Sequence, residues 1–209
     1  LSLHDALPIS DGQIGFVLDN SNRFGGVFKD LHAHHLGATV IRGLLERTKL
    51  PVDQVDDVIF AQGYGNGEAP CIARWSLLAA DFPISVPGYQ LDRRCGSGLQ
   101  AIIDAAMMIQ TGAADVVIAG GVESMSNAEY YSLDMRGGAR AGPVTMHDRL
   151  ARGRVMSQPI ERYGVISGMI ETAENLAKDW KISREACDAY AARSHQRAAE
   201  IGRASCRER

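Results

Sequence analysis

An α/β fold, with helices layered on both faces of a mostly parallel sheet, is what this sequence predicts, and three observations carry it. Short apolar strand runs alternate with longer helical patterns from about residue 31 to residue 122, the order that crossover connections between parallel strands require. The run 115–122, Asp-Val-Val-Ile-Ala-Gly-Gly-Val, is almost continuously apolar, as in a strand covered on both sheet faces. Residues 97–111 are apolar nearly all round (Leu99, Ala101, Ile102, Ile103, Ala105, Ala106, Met107, Met108, Ile109). A helix of that kind is expected in the middle of a protein.

The elements follow in order. A weak strand is expected at 14–19. Residues 31–48 set Leu36, Val40, Ile41, Leu44 and Leu45 at helical spacing, and Lys49-Leu50-Pro51 stops that helix. A strand at 55–60 ends in the loop Gly63-Tyr64-Gly65-Asn66-Gly67, whose spacing is not that of a phosphate loop. The next helix, 69–80, is closed by Phe82-Pro83, and a strand at 86–91 runs directly into Cys95. From 125 to 162 glycine, arginine and polar residues dominate without a strong period. That segment reads as a functional excursion from the core. Helices are expected at 166–180 and 183–200, the second opening on Ser183 with Glu185 just inside.

Composition limits the function. The chain has 209 residues, 45% hydrophobic and 22% charged, with a net charge of -3, which suits a globular protein and argues against general binding to nucleic acid or anionic membranes. No apolar run approaches the roughly 20 residues of a membrane span, and the amino end lacks the order of a secretory signal. The four cysteines are scattered, so reduced thiols and a cytoplasmic location are expected. Residues 1–10 and 201–209 read unlike the interior and resemble translated adapter sequence, a non-native leader and tail around an α/β half at 11–125 and a further segment at 126–200.

Cys95 is the candidate nucleophile. It follows a strand and a charged turn, and Gly96-Ser97-Gly98 leads from it into the apolar helix. Glycines there allow a tight turn and leave a substrate room to reach the sulfur. The helix start favours a thiolate by only about 0.3 to 1 kcal/mol, so a general base and an oxyanion site must come from elsewhere. The histidines offer no sequence signal for that base. His4 lies in the leader; His32, His34 and His35 read as a solvated first helical turn, without nearby acidic or cysteine partners for a metal. His147 lies in the excursion, and His195 and Cys187 read as surface and core positions of one helix. Cys71 reads as a buried structural thiol within its helix, and Glu123 and Ser124 as residues that position backbone at a strand end or a subunit contact.

The run Leu91-Asp92-Arg93-Arg94-Cys95-Gly96-Ser97-Gly98-Leu99-Gln100-Ala101, followed by Ala119-Gly120-Gly121-Val122-Glu123-Ser124-Met125-Ser126, resembles the amino-terminal half of a thiolase, an acetyl-CoA acyltransferase. Arg23-Phe24-Gly25-Gly26, residues 63–74 and Thr172-Ala173-Glu174-Asn175-Leu176-Ala177 with Ile182-Ser183-Arg184-Glu185 are similar to the same family. The resemblance covers about residues 22–200. It implies a thiolase-like layered α-β-α fold, of which this chain holds the first half and the start of a loop domain that covers CoA. It also implies Cys95 as the acyl-carrying nucleophile, with an activating histidine, a second cysteine and an oxyanion-binding asparagine in a second half that this sequence does not include. Met169 matches a methionine lining the acyl pocket. Arg136, Arg140, Arg149, Arg152 and Arg154 stand where CoA phosphates would attract them, although a solvated loop suits any one of them better.

The implied reaction is thiolytic cleavage of a 3-oxoacyl-CoA, or the reverse Claisen condensation, with acyl-CoA and CoA as partners, no metal or organic cofactor, and a homodimer or homotetramer when full length. The chain by itself is expected to be inactive. Two departures bear on acyl preference and on the amino end. Gly168-Met169-Ile170 replaces the His-Met-Gly common in the family, and Asp19-Asn20-Ser21-Asn22-Arg23 replaces its Arg-Thr-Pro approach. A ketoacyl synthase-like condensing enzyme and a non-catalytic acyl-CoA or lipid-binding relative are the alternatives. The first usually lacks the Gly-Gly-Val-Glu-Ser-Met-Ser pattern, and the second would have no reason to keep Cys95 in its glycine setting.

Overall fold

The computed structural model describes residues 28–133, 135–165 and 168–207, with side chains as far as residue 200. The strand expected at 14–19, His4 and the Arg23–Gly26 motif lie outside the described residues. The chain divides into two compact units, one ending at Leu150 and the other running from Ala151 onward.

Among the described residues, the first unit is a three-stranded parallel sheet between helices. β1 (Asp57–Ala61) is central, flanked by β2 (Gly88–Leu91) and β3 (Val117–Gly121). Val58 pairs with Gly88 on one side and with Ile118 on the other. Side-chain alternation sorts the core into two clusters. Val58, Phe60 and Ile118 face α1 (Ala33–Thr48) and α2 (Ile72–Ala79), where Ile41, Leu44, Ile72 and Leu77 are buried. Ile59, Val117 and Ala119 face α3 (Ser97–Gln110), which presents Ala101 and Ala105 to them.

Element ends depart from the sequence reading for physical reasons. α1 stops at Lys49, whose left-handed backbone (φ 57°) lets its N–H reach the Leu45 carbonyl at 2.8 Å. β1 begins at Asp57 because Val52–Gln54 forms a tight 3₁₀ turn first. α2 begins at Ile72, after the Asn66 side chain has taken the Ala69 N–H at 2.9 Å. Its first N–H is capped by Gln90 Oε1, also at 2.9 Å. Cys71 therefore precedes the helix. It is half-buried, with its thiol on the Gly88 carbonyl at 3.5 Å. β2 starts at Gly88 because Pro87 has no N–H to donate, and Arg74 binds the carbonyls of Ile84 and Val86 there.

The clearest correction concerns α3. Only Ser97, Ala101 and Ala105 of that helix are buried, while Leu99, Ile103 and Met107 are 66%, 41% and 48% exposed. Ala101 and Ala105 are buried against the sheet and Ile102, Met108 and Ile109 pack partly against the same cluster, while Leu99, Ile103 and Met107 point outward. His34 is the reverse case. It is no solvated first-turn residue: it is 5% exposed and packs on the Trp75 ring at 4.0 Å, with His35 beside both. Burial, followed by the charges of His35 and His32, lowers its pKa, with Glu68 opposing.

After β3 the first unit ends in a small antiparallel pair, β4 (Tyr130–Tyr131) with β5 (His147–Asp148). The excursion thus holds some regular structure. The second unit contains most of α4 (Arg149–Val155), then α5 (Ile160–Tyr163), α6 (Met169–Asp179) and α7 (Arg184–Arg207). Ser183 Oγ accepts the Ala186 N–H at 3.2 Å at the start of α7, as an N-cap does. Both Cys187 and His195 on this helix are exposed, so neither is a core position. Among the described residues, no helix is long and apolar enough to cross a membrane.

Candidate active site

Three parallel strands send their carboxyl ends to one edge of the sheet, where open α/β folds place ligands. β1 runs into Gln62–Gly67, β2 into Asp92–Cys95 and β3 into Val122–Ser124. Cys95 sits on the middle one of these segments in chain order, exposed, just before α3.

The turn that holds it is built by its neighbours. Arg94 adopts a left-handed backbone (φ 51°), a conformation that costs a non-glycine residue roughly 1 to 2 kcal/mol. Its N–H goes to Asp92 Oδ1 at 2.8 Å, and its guanidinium lies 3.2 Å from Asp92 Oδ2. Ser97, buried in the first turn of α3, accepts the Arg93 N–H at 2.7 Å and donates to the Arg94 carbonyl at 2.6 Å. The Gly96 N–H closes on the Arg93 carbonyl at 3.1 Å. Ser97 is thus a working part of the turn rather than a spacer between glycines.

A second set of bonds ties this turn to the other strand ends. Arg94 Nη1 donates to the Gly63 carbonyl at 2.8 Å. Glu123 Oε2 accepts the N–H groups of Gly63 and Tyr64 at 2.9 and 3.0 Å. Burial, with the Asp92 charge adding to it, pushes the Glu123 carboxyl above the usual carboxylate range, against the pull of the Tyr64 and Gly63 N–H groups. Glu123 therefore positions backbone, as its place after the glycine pair predicted. Ser124 donates to the Leu31 carbonyl at 3.1 Å. Gln62 is only 2% exposed, and its side chain lies beside the Glu123 carboxyl, where its hydrogen-bonding pull joins that of the Tyr64 and Gly63 N–H groups.

Along α3 a further chain of bonds runs away from the turn: Arg93 donates to Gln100, Gln100 to Asp104, and the Tyr89 hydroxyl to Asp104 Oδ2 at 3.2 Å. Burial, then the Asp104 charge, pushes the Tyr89 hydroxyl up to about 12. Sequence reasoning missed Arg94, Ser97, Gln62 and Asp104. Only Gln62 left a trace, as a polar residue closing the apolar run Val-Ile-Phe-Ala.

The other predicted residues fall elsewhere. Met169 is the first residue of α6 in the second unit and is 63% exposed. Arg136 and Arg140 are exposed in the loop before β5. Arg149 is engaged structurally, 3.3 Å from Glu129 and over the Tyr131 ring. Arg152 and Arg154 belong to α4. Among the described residues no group of three or more His, Cys, Asp or Glu side chains is placed to hold a metal ion.

Comparison with known proteins shows the family. Residues 14–206 match the family described as thiolase, N-terminal domain. An acetyl-CoA acetyltransferase of Shinella zoogloeoides is 37% identical over 175 residues, 84% of this chain and 43% of the relative. One from Pseudomonas aeruginosa is 39% identical over the same length, again 84% of this chain and 43% of the relative. In the crystal structure of the Bacillus anthracis acetyl-CoA acetyltransferase, a chain 38% identical to this one superposes with a TM-score of 0.75 over 86% of this chain and 45% of its own. The chain thus spans less than half the length of these relatives. With the layered parallel sheet and the turn at Cys95, these matches show that the chain belongs to the thiolase family and carries its amino-terminal domain.

Proposed function

We propose that this chain supplies the nucleophilic half of an enzyme that transfers acyl groups between carbon and sulfur. The observation that carries the reading is Cys95, exposed on a braced turn where the parallel strands end, in a chain of this family. The Cys95 thiolate attacks the 3-keto carbon of a 3-oxoacyl-CoA. The bond between C2 and C3 breaks, its electron pair passes to C2, and that carbon takes a proton and leaves as acetyl-CoA. The acyl group, held as a thioester on Cys95, then transfers to the thiol of a second CoA and frees the cysteine. Thioester and oxyanion chemistry suffice, so CoA is a substrate and no cofactor is required.

The relatives' names support the substrate class. Met169 is proposed to line the acyl pocket and the exposed arginines to meet CoA phosphates in the longer protein, which is expected to be a homodimer or homotetramer. The activating histidine, second cysteine and asparagine are expected beyond this sequence, so the chain by itself is expected to turn nothing over.

The test uses the uninterrupted protein with acetoacetyl-CoA and a longer 3-oxoacyl-CoA. Cys95→Ser is expected to lower thiolysis about 10³-fold or more and to abolish an acyl adduct seen by mass spectrometry. Failure of the parent to cleave any 3-oxoacyl-CoA, or turnover by the 209-residue chain, would sink this reading.

A further inference from the structure

We propose that Arg94 is a positioning residue for Cys95: its guanidinium, braced on the Gly63 carbonyl that Glu123 holds in place, keeps the left-handed turn from which the sulfur projects. The proposal rests on the nucleophile reading of Cys95 and deepens it.

Two independent features lead here. The first is conformational. Arg94 stands immediately before the nucleophile at φ 51°, where glycine would sit without cost and an arginine does not. Something must hold it there, and the local bonds to Asp92 and Ser97 lie within the turn itself. The second is the long-range contact. Arg94 Nη1 reaches the Gly63 carbonyl at 2.8 Å, thirty-one residues away in sequence. That peptide segment is in turn fixed by Glu123 through the Gly63 and Tyr64 N–H groups at 2.9 and 3.0 Å. Glu123 follows β3, whose strand pairing continues as the Val122 N–H bonds the Ala61 carbonyl at 3.1 Å. The brace therefore runs from the nucleophile turn across the β1 loop to the end of β3. An arginine is suited to it, because its charged donor makes a stronger bond to a carbonyl than a neutral one does.

The consequence concerns the sulfur. Without the brace the strained turn relaxes, the sulfur no longer projects from it in one fixed position, and its reaction with an electrophile slows.

The test is alkylation of the full 209-residue chain by iodoacetamide near neutral pH, resolved by peptide mass spectrometry so that each cysteine reports separately. Exposed Cys187 is the internal reference, and half-buried Cys71 reports general loosening. Arg94→Asn keeps a residue that tolerates the left-handed backbone but cannot reach Gly63. It is expected to slow Cys95 between about two- and five-fold, the scale of one lost hydrogen bond, with Cys187 unchanged. Arg94→Lys restores the long donor and is expected to recover most of the rate. An Asn variant as fast as the parent, or a Lys variant as slow as Asn, overturns the proposal.

Should Arg94→Asn also expose Cys71, the pair at Glu123 decides. Both N–H groups bind one oxygen, so Glu123→Gln is expected to keep the parent rate and Glu123→Ala to lose it. Equal rates in that pair overturn the brace. Thiolysis by the uninterrupted protein that Cys95→Ser leaves undiminished instead overturns the nucleophile reading beneath it.

Discussion

The two faces of the sheet are packed differently. On one, α1 and α2 lie against Val58, Phe60 and Ile118 and bury large side chains such as Ile41, Ile72 and Leu77. On the other, among the described residues, α3 buries only two alanines fully against Ile59, Val117 and Ala119, packs Ile102, Met108 and Ile109 partly beside them, and turns Leu99, Ile103 and Met107 outward. Apolar composition alone would make α3 the most buried helix in the chain. The difference teaches that an all-round apolar helix carries two separable demands. Small residues set how closely it approaches the sheet; Leu99, Ile103 and Met107 form a second surface that the described residues leave exposed.

The largest effect that would break the comparison is on the α1–α2 face. Leu77→Ala removes a fully buried side chain and is expected to cost about 2 to 5 kcal/mol in urea unfolding. A cost below about 1 kcal/mol would mean that this face is packed no better than the other.

Between the strands, Gly121→Ala comes next. A Cβ there would lie 2.7 Å from the Ala61 carbonyl oxygen and 2.8 Å from its Cβ. Because backbone must move to admit it, a loss of about 1 to 3 kcal/mol is expected, read by thermal unfolding.

A pH test sharpens the comparison further. His34 is buried on the α1–α2 side with a lowered pKa, and its Nδ1 has no hydrogen-bond partner among the described residues. The unfolded chain takes up a proton at this residue near pH 6.5, before the folded chain does. Stability from this group is therefore complete above that pH and declines as the pH falls through the lower folded value. His34→Gln is expected to reduce the drop in melting temperature between pH 7.5 and pH 5.5. An unchanged drop assigns the acid sensitivity to other groups.

The smallest effect belongs to α3. Met107→Ala is expected to change stability by no more than about 0.5 kcal/mol, and a larger loss would show that its outer face is covered after all.

Much of the frame was legible in the sequence because it depends on local pattern. The strands at β1, β2 and β3 and the helix starting at Ser97 follow from apolar runs of the right length, and the Cys95 turn follows from its glycines. What stayed hidden depends on residues far apart in the chain. His34 looked solvated because its partner, Trp75, stands on the next helix. Arg94 looked like one more charge in a charged turn until Gly63 supplied an acceptor. Glu123 was legible as a backbone-positioning residue, but not the loop it would hold. The outward turn of α3 was hidden for a different reason: periodicity measures how apolar a helix is, and says nothing of what lies against each side.

The central place of β1 also bears on the order in which the fold assembles. Val58 finds Gly88 in β2 and Ile118 in β3, and the second closure spans twice as much chain as the first. Each doubling of a loop costs about 0.6 kcal/mol more in closure entropy. Chain entropy thus favours docking β2 through α2 first, with β3 and the helix that follows Cys95 joining a half-built sheet. The nucleophile's helix is then among the last parts to lock, and a chain stalled before that step would already hold the part of the α1–α2 core that β1 supplies, without Ile118 and without a finished site.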